Sequence, residues 1–104
     1  MRKLIAILAV VSLLAGLVAV AAFATTPKVS WHVGTSKTVK IRHGGKVTWV
    51  WNGDSLHNVK GKGFKSKSSS RRGFTYTHTF RTKGKFTIVC TFHPGLMKTV
   101  VRVS

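Results

Sequence analysis

Acidic side chains are almost missing from this chain: Asp54 stands alone against 18 Lys and Arg, for a formal charge of +17 over 104 residues. One carboxylate cannot form the acid/base pair of a glycosidase or an aspartic protease, nor the oxygen cage that Ca²⁺ or Mg²⁺ requires. Cysteine is as scarce. Cys90 is the one thiol, so no internal disulfide can form. Helical periodicity is absent after residue 24, which leaves strands as the regular element. Apolar material, by contrast, is plentiful. Hydrophobic residues reach 43% and aromatics 10%, too many for a disordered basic tail and enough for the core of a single domain.

The first two dozen residues read as targeting rather than fold. Arg2 and Lys3 give a positive start, Leu4 to Ala21 are almost wholly apolar, and Ala22-Phe23-Ala24 supplies a small-x-small cleavage pattern. A signal peptide over residues 1–24 is expected, with cleavage after Ala24. The apolar run also matches the roughly 20 residues of a membrane span, so an uncleaved anchor over residues 4–24 is the second reading. Either way the remainder, residues 25–104, is expected outside the cytoplasm, periplasmic or extracellular, because Arg2 and Lys3 stay inside. No cysteine near the cleavage site offers a lipid attachment point.

Without Arg2 and Lys3 the charge falls from +17 to +15, carried by a domain small enough to be marginal and strongly self-repelling. Such a domain calls for a staple, and outside the cell the usual one is a disulfide. With a single cysteine that route is closed, and a metal ion is the natural occupant of the lone thiol.

The rest of the chain reads as short strands. Val29, Trp31 and Val33 alternate with polar residues, as do Val39 and Ile41, and Val47, Trp49 and Trp51 share a face. His43-Gly44-Gly45-Lys46 offers a two-residue hairpin turn. Leu56-His57-Asn58-Val59 reads as a strand, and residues 60–73 as a solvated loop around one short segment at Phe64. Phe74, Tyr76, His78 and Phe80 share one face; Phe86, Ile88 and Cys90 another; Met97, Thr99, Val101 and Val103 a third. Strands recurring about every ten residues predict an antiparallel β-sandwich or barrel.

Few residues can carry chemistry. Cys90, His93 and Met97 put a thiolate, an imidazole and a thioether inside eight residues between the last two strands, and His57 is a fourth candidate far away in sequence. Soft sulfur with imidazole suits copper or zinc, and two His, one Cys and a weak axial Met is an electron-transfer copper set. Strand parity points both sulfurs into the same end of the core. His32 and His43 read as surface residues, His78 as a core or rim histidine, and Trp31, Trp49 and Trp51 as core residues.

Val47-Thr48-Trp49-Val50, Asn52-Gly53-Asp54, His57-Asn58-Val59, Tyr76-Thr77-His78-Thr79-Phe80, Gly84-Lys85-Phe86 and Cys90-Thr91-Phe92-His93-Pro94-Gly95, in that order, resemble the small blue-copper proteins of the plastocyanin/azurin (cupredoxin) family. The likeness covers residues 36–104 and is nearest to halocyanin-like and amicyanin-like members. It implies an all-β, Greek-key cupredoxin-like sandwich that is not an enzyme and holds one type 1 copper ion, with His57, Cys90 and His93 as equatorial ligands and Met97 axial. It also implies that Asn58 steadies the ligand loop by hydrogen bonds involving the Cys90 thiolate and Thr91, and that His93 is the electron port. One departure stands out: Leu96 makes three residues between His93 and Met97, where members commonly have two or four.

The function expected from the resemblance is single-electron transfer by an exported monomer. The basic charge implies transient acidic redox partners, with attraction to anionic membrane or cell-wall surfaces. Copper storage, delivery or resistance is the alternative. Polyanion binding through residues 60–72 ranks lower, since Phe64 is the one aromatic there for base stacking.

Overall fold

The computed structural model of the protein describes residues 26–104, so the leader or anchor expected over residues 1–24 lies outside the described residues. Among those described, every regular element is a strand, and no helix is long and apolar enough to cross a membrane. The strands are β1 (Lys28–Trp31), β2 (Ser36–Ile41), β3 (Gly45–Trp51), β4 (Lys60–Gly61), β5 (Phe64–Lys65), β6 (Thr75–Phe80), β7 (Gly84–Val89) and β8 (Lys98–Val103). They form a three-stranded sheet, β1-β3-β6, and a five-stranded sheet, β2-β8-β7-β4-β5.

The sandwich expected from the alternation is present, but it is mixed and not antiparallel. β1 pairs with β3 in parallel, as does β2 with β8. The cause is the routing of the chain. β1, β2 and β3 fall in the first, second and first sheets in turn, so β1 and β3 run the same way and meet as neighbours. The Gly-Gly turn is therefore a corner between sheets, not a hairpin. Gly44 takes φ +85°, a left-handed conformation open to glycine at no steric cost, and its N–H donates to the Phe80 carbonyl at 2.6 Å.

Two further expectations are corrected. Residues 56–59 form no strand; His57 makes one isolated bridge to Ser69. Residues 60–73 hold more than the one short segment at Phe64, because that segment, β5, pairs with β4 in a minimal hairpin. Phe64 stacks on His78 with ring centroids 3.6 Å apart, which makes His78 the rim histidine that was anticipated.

The core lies between the sheets where parity placed it, except at Val33, which falls past the end of β1 in a turn and is exposed. Val29, Trp31, Val47, Trp49, Ile88, Cys90 and Val101 are all fully buried, and Trp51 and Met97 nearly so. Each indole N–H finds a partner: Trp31 donates to the Asn58 carbonyl at 2.9 Å, Trp49 to Thr99 Oγ1 at 3.2 Å, and Trp51 to the Ser69 carbonyl at 2.9 Å. Among the described residues no buried side-chain nitrogen or oxygen lacks a partner, so residues 26–104 close around a core of their own.

The outer face of the five-stranded sheet is less comfortable. Lys40 on β2 pairs with Arg102 on β8, which pairs in turn with Lys85 on β7, so three exposed cations stand abreast. Like charges directly opposite one another cost about 0.2–1 kcal/mol per pair. Burying an indole, at about 150–250 Å² and about 25 cal/mol per Å², contributes about 4–6 kcal/mol. Three buried tryptophans therefore outweigh the repulsion, and the sheet holds. Removing the middle charge should relieve it: Arg102→Thr is expected to raise the melting temperature by a few degrees in low-salt thermal denaturation, with the gain fading at high salt. A loss of stability at both salt concentrations would show that the Arg102 stem contributes more by packing than its charge costs.

Candidate metal centre

Cys90 continues the inward parity of β7 by one residue and ends buried at one tip of the sandwich. His57 follows the loop that leaves β3 and is fastened there by two backbone bonds with Ser69, each 3.0 Å. His93 sits three residues beyond Cys90 in a succession of tight turns: its N–H donates to the Cys90 carbonyl at 3.4 Å, and the Leu96 N–H donates to the His93 carbonyl at 3.0 Å.

These residues converge. Their ligand atoms, one sulfur and two imidazole nitrogens, all lie within 4.8 Å of one another. Cys90 Sγ is 3.9 Å from His57 Nδ1, and the two imidazoles meet edge to face at 5.0 Å and 66°. A first-row cation with bonds of about 2.3 Å to sulfur and about 2.0 Å to nitrogen holds those atoms about 3.7 Å apart in a trigonal plane. The observed separation fits such a group, and the soft donor set fits copper. His93 Nε2 lies 3.2 Å from the Leu56 carbonyl; with its N–H donated there, Nδ1 keeps the free lone pair, an orienting arrangement typical of metal-bound imidazoles.

The support behind these groups runs through Asn58. Its Nδ2 donates to Thr91 Oγ1 and its Oδ1 accepts from the Thr91 N–H, both at 2.9 Å. Both side-chain bonds go to Thr91, and the polar neighbour of the Cys90 sulfur is His57. Behind Asn58 stands Trp31, and behind Ser69 stands Trp51, each through its indole N–H. Alternation marks these tryptophans as core, but it carries no trace of their role in pinning the segment that bears His57.

Met97 is buried where the loop enters β8, on the inward parity of Thr99 and Val101. The extra residue of the loop is turned outward. Leu96 is 56% exposed, and its carbonyl accepts the Gly34 N–H at 2.8 Å. Thr35 completes the clamp by accepting from the Lys98 N–H at 2.8 Å. Gly34 and Thr35 were not singled out by sequence; the three-residue spacing was the signal that some other segment has to hold the longer loop. The remaining histidines are not part of the cluster: His32 Nδ1 bonds the Val33 carbonyl, His43 Nδ1 bonds the Ser104 carbonyl, and His78 stacks on Phe64. Among the described residues His57, Cys90 and His93 are the one metal-capable cluster.

The family model for copper binding proteins of the plastocyanin/azurin family matches residues 32–104. Among solved structures, amicyanin from Paracoccus versutus is 27% identical over 78% of this chain and 83% of its own, with a TM-score of 0.64. A purple cupredoxin from Nitrosopumilus maritimus is also 27% identical, over 64% of this chain and 77% of its own, with a TM-score of 0.59. A comparison with curated protein sequences finds no match.

Desolvation lowers the pKa of His57 below its ordinary 6.5, and the neighbouring His93 adds to the shift. Desolvation lowers His78 in the same direction. The folded metal-free protein thus binds these protons less readily than the unfolded chain, so the associated stability is present above pH 6.5 and is lost as pH falls through the depressed values. Urea denaturation of the metal-free protein should show a midpoint that declines between pH 7 and about pH 5, with the decline reduced in His78→Phe; a flat profile would contradict it. Asn58→Ala, which strands two polar partners on Thr91, is expected to cost about 1–3 kcal/mol in the same assay.

Proposed function

The chain belongs to the plastocyanin/azurin family of copper-binding proteins, and from that premise we propose that it carries single electrons between partner proteins through one copper ion held by His57, Cys90 and His93, with Met97 on the axis. The observation that carries this reading is the convergence of one buried thiol and two imidazoles within 4.8 Å. A copper ion bound there supplies a one-electron Cu(II)/Cu(I) couple.

The protein's part is to hold its ligands still and in the right protonation state. Copper would take its ligands deprotonated, a thiolate and two neutral imidazoles, so acid would oppose binding. Burial favours the neutral form of His57 before any metal arrives. The Asn58–Thr91 pair fixes the two ligand-bearing segments to each other, and the Gly34–Leu96 bond fixes the loop's exit. Those restraints would hold the ligand positions through a change of oxidation state and so keep reorganisation small. Met97 would supply the weak fourth donor, since the outward turn of Leu96 absorbs the added residue and leaves the Met97 side chain buried.

His93 is the exit for the electron. It is half-buried, and the exposed side chains of Leu56, Phe92 and Leu96 stand in the segments around it. Such an apolar rim excludes water at a contact that must form and dissolve quickly, and weak, small interfaces are the rule for transient redox pairs. The charge of +15 over residues 25–104 steers acidic redox partners towards the molecule and does so less as salt rises. It also keeps copies apart, which favours a monomer. Export by the N-terminal segment, whether cleaved after Ala24 or kept as an anchor, places the domain in the periplasm or outside the cell. The reading is of a carrier, with no catalysis of its own.

The test is spectroscopic. Residues 25–104 titrated with Cu(II) should develop an intense blue thiolate-to-copper band at one equivalent, absent in Cys90→Ser. Met97→Ala should keep the band and shift the reduction potential in voltammetry. Colourless copper binding by the wild type would overturn the electron-carrier reading, and an unchanged potential in Met97→Ala would overturn the axial assignment alone.

A further inference from the structure

The basic residues are not scattered evenly. On the five-stranded sheet, strand parity turns Val39, Ile88, Thr99, Val101 and Val103 into the core and leaves the alternate residues facing outward. The outward set forms rows in register. Towards the end remote from the metal centre run Lys40, Arg102 and Lys85. Towards the metal centre run Lys98, Val89, Lys60 and Lys65, each the pairing partner of the next across β8, β7, β4 and β5. Between the rows lie Thr38, Val100 and Thr87. Neighbouring strands stand about 4.8 Å apart, and the rows, four residues apart along β8, about 13 Å. The result is a field of six cations over five strands. The one acidic side chain, Asp54, is at neither row and contacts Arg72 at 3.6 Å.

A field of this kind opposes the fold that carries it, because like charges in register repel and no acid lies between them. A ligand that offsets the repulsion must therefore be anionic, and the shape of the field narrows its kind. A single nucleic-acid strand or other linear polyanion is suited by a groove with aromatic platforms. This face is an open sheet whose outward residues are Lys, Arg, Thr, Ser and Val, without an aromatic among them. A plane of cations matches a plane of anions. The apolar run from Leu4 to Ala21, a few residues before β1, is expected from its sequence to direct the chain to a membrane, which would bring one within reach of the domain.

We propose that the outer face of the five-stranded sheet is a docking surface for an anionic phospholipid bilayer, bound flat by electrostatic attraction to the headgroups. The face lies along the side of the sandwich, while His93 and its apolar rim are at the tip. A molecule lying on this face keeps the tip free for a protein partner. Docking is independent of the copper reading, since no residue of the field is a candidate ligand.

The test is partition of residues 25–104 onto vesicles of phosphatidylglycerol and phosphatidylcholine, by co-sedimentation, with and without copper. Binding is expected to be the same in both forms, to be absent on pure phosphatidylcholine, and to collapse at about 1 M salt, where screening reaches about 3 Å. Lys40→Thr/Lys85→Thr/Arg102→Thr should weaken partition by about 100-fold or a little more, at roughly fivefold per charge removed near the surface. Lys28→Thr/Lys46→Thr/Lys67→Thr, with the same net charge but changed on the other sheet and in a loop, should stay within about fivefold of the wild type by the same scale. Circular dichroism and thermal melts check that both variants fold. Equal weakening of the two triple variants would reduce the effect to net charge and overturn the assignment of the face. Preference for soluble inorganic polyphosphate over the vesicles would overturn the bilayer in favour of a linear polymer.

Discussion

Two hydrogen bonds between Asn58 and Thr91 tie together segments 33 positions apart, and the geometry of the metal centre depends on that tie. His57 and Cys90 are each the immediate neighbour of one end of it. An amide side chain that both donates and accepts fixes orientation as well as distance, which a single bond would not. The tie is buried on the Asn58 side, where the Trp31 indole holds the Asn58 carbonyl, so water does not compete freely for it. The centre is thus prepared by the protein's own polar network. Two imidazoles and a sulfur stand at bonding separations because the backbone behind them has little choice.

Much of this was legible in the sequence, for physical reasons that also mark the limits. Period-two alternation reports which side of a strand faces the core, and it placed Trp49, Ile88, Cys90, Met97 and Val101 inside without error. The ordered motifs, with His-Asn, Tyr-Thr-His-Thr-Phe and Cys-Thr-Phe-His-Pro-Gly among them, were specific enough to indicate the family and the three converging side chains. Alternation does not report which strand lies next to which. Hence Gly44-Gly45 read as a hairpin when it turns a corner between sheets, and the parallel pairs β1–β3 and β2–β8 went unseen. The clamp of Gly34 and Thr35 on the ligand loop was equally hidden, being made by backbone groups that every residue possesses.

Polarity is divided over the surface in a way that composition conceals. The four large hydrophobic side chains exposed among the described residues, Val33, Leu56, Phe92 and Leu96, all lie in the loops at the metal end. The cations in register occupy the side of the five-stranded sheet. A uniform coat of positive charge would attract an acidic partner in any orientation, whereas this arrangement leaves a dry, weakly charged tip between basic flanks. Attraction at long range and release at short range then come from different parts of the surface.

The pairing of β2 with β8 bears on how the molecule comes into being. A chain delivered from its N-terminus cannot close the five-stranded sheet until β8 has emerged, because β2 finds its neighbour there and Ser104 seals the corner with bonds to Ile41 and His43. Such long-range closure is slow compared with local pairing. During that interval the lone thiol is bare to oxidants and to stray metals, and its shelter arrives together with the rest of the barrel wall. The order in which the strands become available thus sets a brief window of vulnerability that closes when β8 docks against β2.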